Sequence, residues 1–228
     1  QVVFKNGEQV PMENEMTYLG SMLSRQHNLR KEIAKKIALA TTVWKSLSIF
    51  WDKAKCPTKF KLVVYDAVVR SKLVYGLDCV HLPDTLMNKL NVFQLRGLRK
   101  ILKMKTTYVD RANTNEKVFE KANLYRYKPE DEKTIQSFQQ YVNSKHNKML
   151  GHVIRQPAEA PHRQIAFHNN TFTPGVYVNR RVGRPRHHLV SNTYERIWVE
   201  ELNHPGDDWK IDTNNKINQI VDRAQNRI

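Results

Sequence analysis

Between positions 28 and 154 apolar residues return every three or four places, the period of a helix buried on one side. Ile33, Ile37, Ala40, Trp44, Leu47 and Trp51 form one such stripe, and Asn28 just ahead is a suitable N-cap, so the pattern predicts a long first helix. Pro57 fits the first turn of a second helix through Leu62, Tyr65, Val68, Val69 and Leu73, with Gly76 as its terminator. Pro83 opens a third, with Leu86, Leu90, Phe93, Gly97 and Ile101 on one side. A glycine inside a helix costs roughly 1 kcal/mol relative to alanine, so Gly97 implies a close approach by a neighbouring segment. Asn113-Thr114-Asn115-Glu116 has the form of a capping box for a short helix through Val118, Phe119 and Ala122, with a loop at Tyr125–Glu130. Ile135, Phe138, Val142 and Met149 predict a fourth long helix, which Gly151 ends or bends.

The two ends read differently. Val2–Phe4 and Gln9–Met12 flank Asn6-Gly7, a two-residue hairpin signal, and Met16–Leu19 is extended up to Gly20. Past Arg155, Pro157, Pro161, Pro174 and Pro185 mark an irregular stretch. Thr193–Leu202 and Asn214–Ile228 predict closing helices. The expected fold is mainly α: an N-terminal β-hairpin (residues 1–24), a helical bundle (25–112), connecting helices (113–155), an extended basic segment (156–192) and C-terminal helices (193–228).

At 228 residues the chain has room for a sizeable core, and 40% hydrophobic residues make it globular. No apolar run approaches the roughly 18–20 residues that a membrane span needs, and no membrane partner is expected. The opening residues do not read as a signal peptide, although Gln1 says nothing of targeting. Cys56 and Cys79 form no CxxC pair, so a reducing intracellular compartment is expected, with both thiols in the core.

Charge changes the picture most. Of the net +16, the stretch Arg25–Arg111 carries +13, nineteen Lys and Arg against six Asp and Glu. Such a concentrated field favours a polyanionic partner, with an unpartnered soluble surface as the alternative. A second cluster, Arg180-Arg181-Val182-Gly183-Arg184-Pro185-Arg186, separates its arginines with Gly and Pro and suits an extended contact along a backbone. A solvated basic linker is the alternative there. Tyr108 and Tyr177 lie near the clusters and could stack on bases, but core packing is the favoured expectation for both.

Catalytic chemistry finds little purchase. Asp207 and Asp208 are the only adjacent aspartates, and His204-Pro205-Gly206-Asp207-Asp208-Trp209 is a turn signature, not a strand-borne metal site. The nine histidines show no four-ligand spacing for zinc; His187 and His188 are sequential, and His146 and His152 do not share a helix face. Neither GxxxxGK[ST] nor GxGxxG occurs, and no nucleophile elbow is present. No catalytic residue, metal or cofactor is expected.

Seven short segments in order give a further expectation. Tyr18-Leu19-Gly20-Ser21; Glu32-Ile33 through Leu47 and Trp51; Val69-Arg70-Ser71-Lys72-Leu73-Val74-Tyr75-Gly76; Phe93-Gln94-Leu95-Arg96-Gly97-Leu98-Arg99-Lys100-Ile101-Leu102; Asp110-Arg111 with Asn113–Glu116; Gly151-His152-Val153-Ile154-Arg155; and Gly183-Arg184-Pro185 resemble the region after the catalytic core of non-LTR (LINE-type) reverse transcriptases. The resemblance spans about Val2 to Leu202 and departs at Asp78-Cys79-Val80, where relatives often carry Glu-x-Trp. It implies a thumb-like helical bundle and connector that grip a primer–template duplex, with the catalytic aspartates in an upstream palm. A Cys/His knuckle, common in relatives, is not found after Leu202.

The expectation is therefore a non-catalytic module that binds RNA or an RNA/DNA duplex, a domesticated structural subunit of a large ribonucleoprotein such as an organellar ribosome. Other proteins of that assembly would be its partners, in a mitochondrion or nucleus. The alternatives are a thumb and connector of an active retrotransposon polymerase, and, less favoured, a metal-dependent nuclease at Asp207 and Asp208. The expected phosphate contacts are Lys31, Lys35, Lys36, Arg96, Arg99, Lys100, Lys103, Lys105 and Arg111, with Arg180, Arg181, Arg184 and Arg186 in the second cluster.

Overall fold

The computed structural model describes residues 13–18, 20–24, 29–77, 80–128, 134–168, 171–175 and 189–226. The fold is mainly α with one short antiparallel hairpin near the N-terminus, as the sequence pattern predicts. The described residues fall into two compact units, one drawn from Gln1–Gly76 and Asp84–Ile135, the other from Leu77–Pro83 and Gln136–Ile228.

The first unit opens with strands β1 (Glu15–Tyr18) and β2 (Ser21–Ser24), paired from Glu15 opposite Ser24 to Tyr18 opposite Ser21. The sequence signals point instead to a hairpin about Asn6-Gly7, which lies outside the described residues. The chain's extended run to Gly20 turns back on itself, a reversal that apolar periodicity alone does not announce. Helix α1 (Leu29–Ser46) holds this hairpin by polar contacts. Lys31 Nζ reaches Glu15 Oε1 at 2.6 Å, Lys35 Nζ donates to Thr17 Oγ1 at 2.9 Å, and the Met22 amide donates to Glu32 Oε2 at 3.0 Å.

The predicted first helix breaks at Leu47, and α2 (Ser48–Lys53) follows. The break lets Trp51 turn back on α1: its indole stacks on Trp44 at 4.6 Å and its Nε1 donates to the Trp44 carbonyl at 3.0 Å. The second predicted helix is α3 (Thr58–Val64) and α4 (Ser71–Val74), joined by a π-helical segment, Tyr65–Arg70. The Ser71 amide bonds the Asp66 carbonyl, five residues back. Gly76 ends the run with φ +71, a conformation that favours glycine, and a Cβ there would sit 2.6 Å from Ser21 Oγ, so any other residue would also make that hydroxyl move.

Helix α5 (Asp84–Leu102) lies against α1, α3 and α6 (Asn115–Arg126) and buries Leu86, Leu90, Leu98 and Ile101. The close approach expected at Gly97 is made by the Tyr65 ring, whose Cε2 would lie 2.8 Å from a Cβ at that position. Helix α6 is capped by the Thr114 side chain, which accepts from the Lys117 amide, and it continues to Arg126 through positions expected to be loop.

In the second unit α7 (Phe138–Ile154) starts at a capping box formed by Ser137 and Gln140. Gly151 does not end it; the last turn buries Val153 and Ile154, which offsets the helix cost of one glycine. Around it pack α8 (Pro161–Ala166), α9 (Leu189–Arg196) and α10 (Thr213–Gln225). Leu150, Ile154, Phe167, Tyr194, Trp198, Ile217 and Ile220 make its core. The helix predicted over Thr193–Leu202 starts earlier, at Leu189, and widens into a π-helical segment at Ile197–Glu201. No helix among the described residues is long and apolar enough to cross a membrane.

Candidate nucleic-acid interface

Helix α5 turns its apolar stripe inward, so the opposite face must be the one in water. Lys89, Val92, Arg96, Lys100 and Lys103 follow one another at spacings of three or four, and all are exposed. From Lys89 to Lys103 this row runs about 21 Å at the helical rise of about 1.5 Å per residue. A groove of about 380 Å³ opens beside it, lined by Ile37 of α1 and by Asn88, Lys89, Val92, Phe93 and Arg96.

The row continues into the loop that joins α5 to α6. Helix α5 ends in a Schellman motif: the Met104 amide bonds the Arg99 carbonyl at 2.9 Å and the Lys103 amide bonds Lys100 at 3.3 Å. Lys103 takes the left-handed position that usually holds glycine, with φ +54. Beyond it Lys105, Tyr108 and Arg111 are exposed. The expectation that Tyr108 packs in the core is wrong: it is 98% exposed. It sits at the tip of a turn in which the Thr106 carbonyl accepts the amides of Val109 and Asp110. The sequence around it has no apolar periodicity to place it inside.

The expected phosphate contacts divide by what their cations already touch. Arg96, Lys103, Lys105 and Arg111 form no ion pair with any described residue and face solvent. Lys89, which the expected set omits, belongs with them; its place seven residues before Arg96 is the available signal. Lys31, Lys35 and Lys100 are exposed but engaged, Lys100 with Asp52 at 2.9 Å. Exposed pairs of this kind contribute about 1 kcal/mol or less, so a phosphate can displace them.

Two expectations need correction. Lys36 is 4% exposed, paired with Glu32 at 3.1 Å, and donates to the Tyr75 carbonyl at 2.6 Å. Its ammonium is internal and cannot meet a phosphate. Arg99 is half-buried and clamps the loop, its Nη2 donating to the Asn113 carbonyl at 3.1 Å and Asn115 Oδ1 at 3.0 Å. Both residues fall at helical spacing among free cations, so spacing alone does not separate them. Arg180, Arg181, Arg184, Arg186 and Tyr177 lie outside the described residues, as do His187, His188 and Cys79.

In the second unit several cations hold the fold together. Arg155 donates to the Ala224 carbonyl at 3.1 Å, Arg163 to the Gln156 carbonyl at 2.6 Å, and Arg196 to Asn147 Oδ1 at 2.6 Å. Burial pulls the Arg196 guanidinium below its usual range, against the charges of Glu200 and Glu201. Asp207 is tied the same way. Its Oδ2 accepts from Trp198 Nε1 at 2.8 Å and pairs with the buried Lys216 at 3.0 Å, and these bonds hold its carboxyl below the usual range. Asp208 Oδ1 accepts the Lys210 amide at 2.9 Å, closing the turn. Among the described residues no three His, Cys, Asp or Glu side chains are grouped to hold a metal ion. Cys56 is a free, half-buried thiol.

Comparison with protein families, curated proteins and solved structures returns no match.

Proposed function

We propose that this chain is a nucleic-acid-binding module that grips a phosphate backbone with the outer face of α5 and the loop that follows it. One observation carries the reading: Lys89, Arg96, Lys103, Lys105 and Arg111 are exposed on consecutive turns and one loop without acidic partners among the described residues. A face evolved only for solubility mixes signs, and here Asp110 is the loop's single acid. The sequence resemblance supports reverse-transcriptase ancestry and RNA or an RNA/DNA duplex as the ligand. On this reading the module acts without chemistry of its own, as a structural RNA-binding subunit of a ribonucleoprotein such as an organellar ribosome, in a mitochondrion or nucleus. In the competing version it serves a palm-containing polymerase, and the molecules that co-purify with the chain separate the two.

The direct test is a salt titration of binding to a labelled RNA duplex by fluorescence anisotropy. Removing one cation from the phosphates lowers the slope of log K against log salt by about 0.9 on duplex. The triple variant Arg96→Gln, Lys105→Gln, Arg111→Gln is therefore expected to flatten the slope by about 2–3. Wild-type binding that ignores salt, or a triple variant with the parent slope, refutes the interface.

A further inference from the structure

We propose, resting on that reading of the α5 face, that the loop from Lys103 to Thr114 is a platform on which Tyr108 stacks one unpaired nucleobase, so the preferred ligand carries a bulged or single-stranded nucleotide. Water is an unfavourable place for a bare aromatic ring, and Tyr108, at 98% exposed, has no neighbour to cover it. Val109 beside it is 63% exposed and adds an apolar edge.

The ring is presented by a fixed scaffold. Asp110 Oδ1 accepts the Ala112 amide at 3.0 Å, and its Oδ2 accepts Asn113 Nδ2 at 3.1 Å. Asn113 Nδ2 also donates to the Lys105 carbonyl at 3.2 Å, and Arg99 ties the Asn113 carbonyl to α5 at 3.1 Å. A loop backbone held this way loses little freedom on binding, which favours affinity. Both oxygens of Asp110 accept bonds within the loop, and its one negative charge is outnumbered by those of Lys103, Lys105 and Arg111. An exposed aromatic ring on a loop that also carries three exposed cations matches a nucleotide, whose base stacks while its phosphates meet the cations; a protein partner would need acids in place of the phosphates. An unbroken duplex keeps its bases stacked on one another and offers Tyr108 only its end.

The test uses the full chain and three labelled RNAs of matched length: a blunt duplex, the same duplex with a one-nucleotide bulge, and a single strand. Wild type is expected to favour the bulged duplex over the blunt one by about 5- to 150-fold, the range that stacking of one base gives. Tyr108→Ala should abolish that preference with an unchanged circular dichroism spectrum, since the side chain touches no core residue. Tyr108→Phe should keep it, because the ring and not the hydroxyl does the stacking. The triple variant Arg96→Gln, Lys105→Gln, Arg111→Gln should weaken all three RNAs in parallel. If Tyr108→Ala leaves salt-dependent binding and the preference intact, the platform is refuted alone and the exposed ring belongs to a protein contact. If no RNA binds wild type at low salt, the α5 interface falls and the platform with it.

Discussion

Replacing Lys103 by glycine is expected to make the protein more stable and a weaker nucleic-acid binder at once. Lys103 sits at φ +54, where a side chain crowds its own carbonyl and costs about 1–2 kcal/mol. Glycine removes that cost but forfeits about 0.4–1 kcal/mol to the greater freedom of the unfolded chain. The balance is a gain of about 0.5–1 kcal/mol, the Schellman bonds of Met104 and Lys103 being backbone bonds that glycine keeps. Because α5 is the central helix of its unit, the gain should appear as a two- to five-fold rise in amide-exchange protection of α5 peptides, at about 1.4 kcal/mol per tenfold. Without the ammonium, the salt dependence of duplex binding should flatten by the share of one phosphate, a slope change of about 0.9. Lys103→Gln separates the two effects, since it keeps the strained backbone and removes only the charge: the slope changes, the protection does not. A glycine variant with no added protection would refute the strain argument. Parent slopes in both variants would refute the phosphate contact, and the lysine's place at the end of the row would then be accidental.

Two other perturbations probe cations and carboxylates that hold the fold. Lys36→Met removes the ammonium between Glu32 and the Tyr75 carbonyl and should cost about 3 kcal/mol or more, as breaking a buried pair does, while leaving the salt slope of binding unchanged; a flatter slope at parent stability would show that Lys36 reaches phosphate after all. Asp207 has a folded-state pKa below its unfolded value of about 3.9, so its contribution is present above that value and is lost as pH falls through the folded one. The thermal stability of the chain, read by the loss of amide-exchange protection in α10 peptides, should therefore fall more steeply below about pH 4 in wild type than in Asp207→Asn, and equal slopes would contradict the lowered pKa.

Much of the helical framework is legible because burial imposes a period on the sequence. The α5 stripe of Leu86, Leu90, Phe93 and Ile101 fixes which face is inside, and with it the outward side of Lys89, Arg96 and Lys103. Breaks in the period are harder to read. The turn at Leu47 serves a ring pair only seven residues apart, and the π-helical segment at Tyr65–Arg70 and the passage of α7 through Gly151 depend on partner surfaces distant in sequence. Tyr65 needs the bare backbone of Gly97, and Trp51 needs the ring of Trp44. Glu32 and Lys36, at i and i+4, do signal a pair, but not that the pair is buried.

Lys36 belongs to a pattern that limits what net charge can say. Lys36, Lys61 and Lys216 are buried lysines, and each donates to a backbone carbonyl of another segment: Tyr75 after α4 at 2.6 Å, Trp51 in the last turns of α2 at 2.7 Å, and Asp208 at 2.6 Å. Helix ends leave carbonyls without partners and carry partial negative charge, so a lysine from elsewhere can satisfy them when its stem is long enough to reach. Arg155 and Arg163 do the same with guanidinium groups at the ends of α10 and α7, while Arg99 and Lys216 meet carbonyls of the turns that precede α6 and α10. A basic chain with many short helices has many such ends, and some of its +16 is consumed inside the fold. The charge that can meet a ligand is therefore set by how many cations find no carbonyl, and that number is decided by the tertiary fold. In the first unit Lys89, Arg96, Lys103, Lys105 and Arg111 are such cations, set on the outer face of α5 and in the loop that carries the one fully exposed tyrosine ring among the described residues.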